Sequence, residues 1–189
     1  MLSLLVGART EELRALTWSH VDLDGKQDAE PPVPPSVMVW RSVRSGGDTK
    51  TRRSRRTLAL PARCVEALRA HRDAQDVTRK AAGKAWQEHG LVFASRVGTP
   101  LDSHNVRRGF RRILAKAGLP AGEWTPREMR HSFVSLLSDD GMAIEDIARL
   151  CGHSGTAVTE AVYRLQIRPV IEDGATAMDR IFPGSDPAA

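Results

Sequence analysis

Leu2, Leu4 and Leu5 run into "ARTEELRALTW", where Leu13 and Leu16 keep a helical spacing, so the chain is expected to start within a helix. "HVDLDGKQDAEPPVPPS" follows, with four prolines between Pro31 and Pro35, and reads as turn and loop. "VMVWRSVR" (37–44) alternates in the manner of a strand, and "RRTLALP" (55–61) gives a second. The intervening "SGGDTKTRRS" reads as a hairpin loop rich in glycine and positive charge. From Ala62 to about Gln87 the apolar spacing is helical, and "GLVFASRVGTPLD" is a loop with a short apolar run. "SHNVRRGFRRILAKAGL" is a helix opened by Ser103 and closed by Gly118. In "WTPREMRHSFVSLLSDDG" Thr125 suits an N-cap, Pro126 the first helical position and Glu128 a capping box, with Gly141 as the stop. "AIEDIARLCGH" is a short helix stopped at Gly152. A segment around Tyr163 follows, then Pro169, a last helix around "ATAMDRIF" and a loose "PGSDPAA" tail. The expected fold class is mainly α with one small antiparallel sheet (α+β), without internal repeats.

Composition narrows the function classes. At 189 residues the chain can bury one sizeable core, and its hydrophobic and charged fractions are those of a globular protein. The formal charge is +5, and most of the 28 basic side chains are arginines. The planar guanidinium fork suits phosphate oxygens, so a nucleic-acid partner fits this balance. Cys64 and Cys151 stand far apart in apolar, helix-like contexts and read as reduced core residues, with no metal-ligand spacing. The apolar opening is too short for a signal peptide or a membrane span. The expectation is a cytoplasmic protein with no membrane partner.

Several polar positions stand out. Arg127, Arg130 and His131 fall at i, i+3 and i+4 on one helical face. Arg127 also lies in the first turn, where the helix dipole disfavours a cation. Such crowding is relieved by an anion, and a phosphate site competes there with a merely solvated basic face. In "GARTEEL", Glu12 lies one turn beyond Arg9 and can hold its guanidinium in a fixed pose. Lys50 stands in the hairpin loop, and His153 follows a helix-ending glycine. Tyr163 is the single tyrosine of the chain. Each of these alone is equally compatible with a solvated, capping or core role.

Taken in order, "GARTEELRALTWSHVDLD", "DTKTRRSRRTLALP", "TPREMRHSF" and "LCGHSGTAVTEAVY" resemble the first arginine box, the lysine hairpin, the second arginine box and the closing histidine and nucleophile box of the tyrosine recombinase (phage integrase) family. The resemblance runs from about Gly7 to Pro169. It implies the catalytic-domain fold of that DNA breaking–rejoining class. It also implies site-specific recombination of double-stranded DNA through a 3′-phosphotyrosine link, without metal, ATP or other cofactor. Carried onto this chain, Tyr163 is the nucleophile and Arg9 and Arg130 bind the non-bridging oxygens. Lys50 protonates the leaving 5′-oxygen, and His153 donates a hydrogen bond to the phosphate. His131 is a structural neighbour. Arg52, Arg53, Arg55, Arg107 and Arg108 are candidate DNA contacts. A tetramer on DNA is implied for the full-length protein.

Two departures bear on this expectation. Arg127 stands where the family usually has histidine; it can bind phosphate but cannot accept a proton near neutral pH. Arg9 lies close to the first residue, so the chain is expected to lack the family's N-terminal DNA clamp and the first helices of the catalytic fold. Residues 1–173 are then the catalytic domain and 174–189 a C-terminal helix and tail, a fragment with weak DNA affinity of its own. Two alternatives remain at this point. "AIEDIARLCGHSGTAVTEAVYR" also scans as a helix-turn-helix, which would make the chain a regulator without catalysis. A type IB topoisomerase-like nicking and resealing activity shares the same residues.

Overall fold

The computed structural model describes residues 1–40, 42–43, 55–153, 155–163 and 181, the side chains of 161–163 excepted. Its described elements are seven helices and three strands. The first helical run is broken in two, α1 (Leu2–Leu5) and α2 (Thr10–Arg14). The break is Gly7, whose φ of +68° no other residue adopts readily, and a Cβ there would stand 2.6 Å from the Phe133 ring.

β1 (Val21–Asp22) lies in the stretch expected to be loop, because a two-residue strand is too short to show an alternation. It pairs antiparallel with β2 (Ser36–Val39), which pairs antiparallel with β3 (Arg56–Ala59), Val37 lying opposite both Val21 and Leu58. β2 is shorter than the alternation suggested, ending before Trp40. Val37, Val39, Leu58 and Leu60 turn inward, as the period of two requires.

α3 (Ala62–Ala82) covers that face with Cys64 and Leu68, and a single 3-10 turn, Gly83–Ala85, completes the helical stretch. One and two turns further along the same stripe, the side chains become polar. His71 Nε2 lies 2.7 Å from the Val92 carbonyl, and Gln75 Nε2 donates to Leu91 O and Val92 O while its Oε1 accepts from Trp18 Nε1. These bonds pin the "GLVF" run, so that Val92 is fully buried.

α4 (Ser103–Lys116) opens at Ser103 as expected and is capped by Asp102, whose carboxylate accepts from the Asn105 amide at 2.8 Å. α5 (Pro126–Asp139) begins as the capping box requires, Glu128 accepting from the Thr125 backbone N–H at 2.8 Å. α6 (Ile144–Cys151) ends at Gly152 in the left-handed region, and α7 (Ala157–Tyr163) packs on α5 and α6. The expected helix around "ATAMDRIF" lies outside the described residues except for Ile181, which is helical.

Two apolar clusters result. The larger joins Leu2, Val6, Leu16 and Leu23 to the sheet, α3 and Val92; the smaller joins Phe133, Val134, Ile147 and Cys151. Leu150 touches both. Cys64 and Cys151 are free thiols in these cores. No described helix is long and apolar enough to cross a membrane.

Candidate active site

The end of α6 points three consecutive carbonyls into the seam between the clusters, and each meets a different arginine. Arg56 Nε donates to Leu150 O at 2.8 Å, Arg130 Nη2 to Cys151 O, and Arg9 Nη2 to Gly152 O at 3.3 Å. A helix C-terminus carries partial negative charge and unpaired carbonyls, so it attracts cations. Here it gathers three from separate parts of the chain. Arg9 precedes α2, Arg56 starts β3, and Arg130 lies in the second turn of α5. Arg130 also donates through Nη1 to the Gly7 carbonyl, so the backbone turn at Gly7 serves the site directly.

One carboxylate organises the cluster. Glu12, only 4% exposed, forms a two-point pair with Arg56 (Nη1–Oε1 3.0 Å, Nη2–Oε2 2.9 Å) and a third contact with Arg9 Nη1 at 2.8 Å. It also accepts from the Arg9 backbone N–H at 2.7 Å, fixing the start of α2. Burial pushes the Glu12 carboxyl up, but the Arg56 hydrogen bond and charge, with Arg9, more than offset this and leave it below its ordinary value. Gly152 is needed on two counts. Its φ is +62°, and a Cβ there would sit 2.9 Å from Arg56 Nη1.

His153 leaves this turn with its backbone N–H on Ala148 O at 3.0 Å. Its Nε2 lies 3.1 Å from Arg130 Nη2, and its Nδ1 lies 2.8 Å from Thr159 Oγ1 on α7. Burial, then the charges of Arg130, Arg9 and Arg56, push the imidazole down to about 4, so it is neutral at physiological pH. Arg130 itself is lowered to about 10, chiefly by burial, and keeps its charge. The cluster thus brings three guanidinium charges against one carboxylate, next to a neutral imidazole. Its most open guanidinium is Arg9, whose side chain is 32% exposed. An anion arriving there would meet a net positive, preorganised set of donors.

Of the residues singled out in the sequence, Arg9, Arg130 and His153 come together. The stripe expected to hold Arg127, Arg130 and His131 together is divided. Arg130 is buried in the seam, whereas Arg127, one turn nearer the helix start, is exposed. His131 is half-buried and is pushed down by burial and then by the Arg127 charge. Arg55, Arg107 and Arg108 are exposed, Arg108 donating to Asn105 Oδ1 at 3.0 Å. Tyr163 closes α7; its side chain, like Lys50, Arg52 and Arg53, is outside the described part of the structure.

Two participants escaped the sequence reading. Arg56 shares strand parity with Leu58 and Leu60, so its inward direction was open to inspection: a charge on the core face of a strand requires a partner. Thr159 carried no such signal.

The chain has relatives among known proteins. The chain is 68% identical over 183 residues to an integrase of Streptomyces ambofaciens, covering 96% of this chain and 47% of that protein. It is 25% identical over 174 residues to a XerC-like tyrosine recombinase of Caldanaerobacter subterraneus subsp. tengcongensis, covering 86% and 44%. It therefore spans about half the length of these relatives. Among solved structures, the Tn1549 transposon integrase in complex with transposon right-end DNA superposes with a TM-score of 0.70 at 20% identity, over 97% of this chain and 57% of that one. The XerH recombinase bound to its palindromic difH substrate gives 0.69 at 17% identity, over 95% and 44%. Residues 1–166 match the model of the phage integrase family, and the chain belongs to that family.

Proposed function

We propose that this chain supplies the catalytic part, residues 1–173, of a site-specific DNA recombinase that cuts and rejoins double-stranded DNA through a 3′-phosphotyrosine. The observation that carries the proposal is the convergence of Arg9, Arg56 and Arg130 with His153 on the carbonyl end of α6, a short turn before the helix that ends in Tyr163. A DNA phosphodiester set against Arg9 and His153 replaces the bulk anion that such a cluster otherwise attracts. Arg130, locked by the Gly7 and Cys151 carbonyls, stabilises the charge that grows on the non-bridging oxygens during attack.

In the reaction the Tyr163 hydroxyl gives its proton to solvent and its oxygen bonds to phosphorus while the bond to the 5′-oxygen breaks, and Lys50 supplies the proton that the leaving oxygen takes. The phosphotyrosine retains the energy of the broken bond, so a second 5′-hydroxyl reverses the step without an external energy source. Phenols ionise near pH 10, so the cationic cluster is also what makes Tyr163 reactive. Arg127, Arg52, Arg53, Arg55, Arg107 and Arg108 then contribute phosphate contacts that position DNA rather than read its sequence. Assembly as a tetramer on DNA belongs to the full-length protein, and separates recombination from topoisomerase-like resealing. Membership of the integrase family favours catalysis over the helix-turn-helix regulator reading.

The test is single-turnover cleavage of a library of nicked duplexes by the chain and its Arg130→Ala variant. The rate falls by about a hundredfold or more, the usual loss when one donor to a developing oxyanion is removed. A near-normal rate would remove Arg130 from the chemistry.

A further inference from the structure

Thr159 is the polar side chain of the cluster that the chemistry above leaves unused. It is fully buried on α7, one turn before Tyr163, and its Oγ1 lies 2.8 Å from His153 Nδ1. The other ring nitrogen faces Arg130 Nη2 at 3.1 Å. A guanidinium has donors and no acceptor, so Nε2 must be the acceptor in this contact. A neutral ring with a bare Nε2 carries its one proton on Nδ1, and that N–H donates to the Thr159 oxygen.

We propose that Thr159 is a positioning residue: it holds the His153 ring in a single orientation, with Nε2 bare and facing Arg130, and so ties the tyrosine helix to the phosphate-binding arginines. The inference deepens the recombinase reading and rests on it for its consequence, but the Thr159–His153 pairing stands on its own geometry.

The charged groups acting on the ring are Arg130, Arg9, Arg56 and Glu12, from α5, the start of α2, β3 and α2 respectively. Burial and the three arginines favour the uncharged imidazole in the free protein, with Glu12 opposing them. When a phosphate oxygen takes its place beside Arg130, Nε2 has to change from acceptor to donor. With Nδ1–H anchored on Thr159, the ring does this by taking one proton from solvent at Nε2, and no rotation is needed. A valine of the same shape would leave the Nδ1 proton without an acceptor at a fully buried position, which disfavours this tautomer. The ring then moves its proton to Nε2, against the Arg130 donors, or turns over. Serine retains the oxygen and with it the arrangement.

The experiment is nitrogen NMR of the whole chain labelled with 15N-histidine at neutral pH, His153 being assigned by the signal lost in His153→Gln. The expected wild-type spectrum shows His153 protonated at Nδ1 and bare at Nε2. Thr159→Ser keeps that pattern, and Thr159→Val loses it. A wild-type His153 protonated at Nε2 overturns the proposal with no need for any variant to fold. So does a Thr159→Val spectrum in which His153 is unchanged. Inorganic phosphate is then titrated into the wild-type sample, and the expected response is a shift of Nε2 toward the protonated form. No response there overturns the phosphate-site reading itself, whereas the tautomer result decides the role of Thr159 separately.

Discussion

The two apolar clusters are held together in different ways. Around the sheet and α3, the buried contacts between segments are apolar or neutral, Val37 against Leu58 and Trp18 to Gln75 to the Leu91 and Val92 carbonyls, while the Arg69–Asp24 ion pair lies at the surface. Around α5 and α6 only four buried apolar residues form the cluster, and its ties to the rest run through charge. Arg9, Glu12 and Arg56 come from elements of the first cluster; Arg130, His153 and the α6 carbonyls belong to the second. α1 packing on α5, and Leu150 touching both clusters, supply the apolar part of the seam. The lesson is that the candidate active site is also the joint between two halves. Buried charges left incomplete are costly, so the joint is expected to favour the arrangement that the chemistry needs.

The strongest way to break the joint is Glu12→Gln, which keeps the shape and removes the countercharge of Arg9 and Arg56. We expect a loss of about 3 kcal/mol, as for other buried pairs deprived of one partner. Stability and anion affinity should move in opposite directions. With the carboxylate gone, added phosphate should stabilise the variant more than the wild type. Thermal unfolding with and without phosphate reads both effects, and equal gains from phosphate would deny that the arginines form one charge cluster.

Gly7→Ala should be next in size. The φ of +68° and a Cβ placed 2.6 Å from the Phe133 ring together predict a loss of about 2 kcal/mol in denaturant unfolding. Because the Gly7 carbonyl holds Arg130, phosphate binding should weaken too. An equivalent change at Gly118, whose Cβ would meet nothing, should leave binding intact.

The smallest effect is the dependence on pH. Both Glu12 and His153 have folded values below their ordinary ones, so at moderately acidic pH the unfolded chain binds protons that the folded chain does not. Their contribution is complete above about 6.5, the ordinary histidine value. The His153 part is lost as pH falls through about 4, where the ring titrates in the fold, and the Glu12 part as pH falls through a folded value below the ordinary glutamate one. His153→Gln should flatten the upper part of that decline. An unchanged slope between these limits would show that the ring is not buried against the arginines.

Much of this joint was legible in the sequence because its signals are local. The Thr125–Pro126–Glu128 start of α5, the Gly152 stop of α6 and the Arg9–Glu12 pair all lie within one helical turn, where spacing implies contact. The N-terminal helix was read as continuous because leucine spacing does not reveal that Phe133, far along the chain, occupies the space beside Gly7. Arg127 was grouped with Arg130 because helical spacing places both on one stripe; depth below the surface is a tertiary property, and only Arg130 reaches the seam. The start of α4 at Ser103 was equally local, with Asp102 just before it as the cap. Arg56 meets Glu12 across 44 residues, a separation at which a single sequence carries little information; Thr159 stands only six residues from His153, but the course of the turn between them is not fixed by spacing.

The central claim is that this seam activates Tyr163 against a DNA phosphate. The most direct measurement is covalent trapping: the chain and its Tyr163→Phe variant are incubated with nicked duplex DNA, and protein–DNA adducts are resolved under denaturing conditions and mapped by mass spectrometry. The account predicts adducts at Tyr163 in the wild type and none in Tyr163→Phe, with DNA binding retained. Adducts that persist in Tyr163→Phe, or that map to another residue, would contradict it.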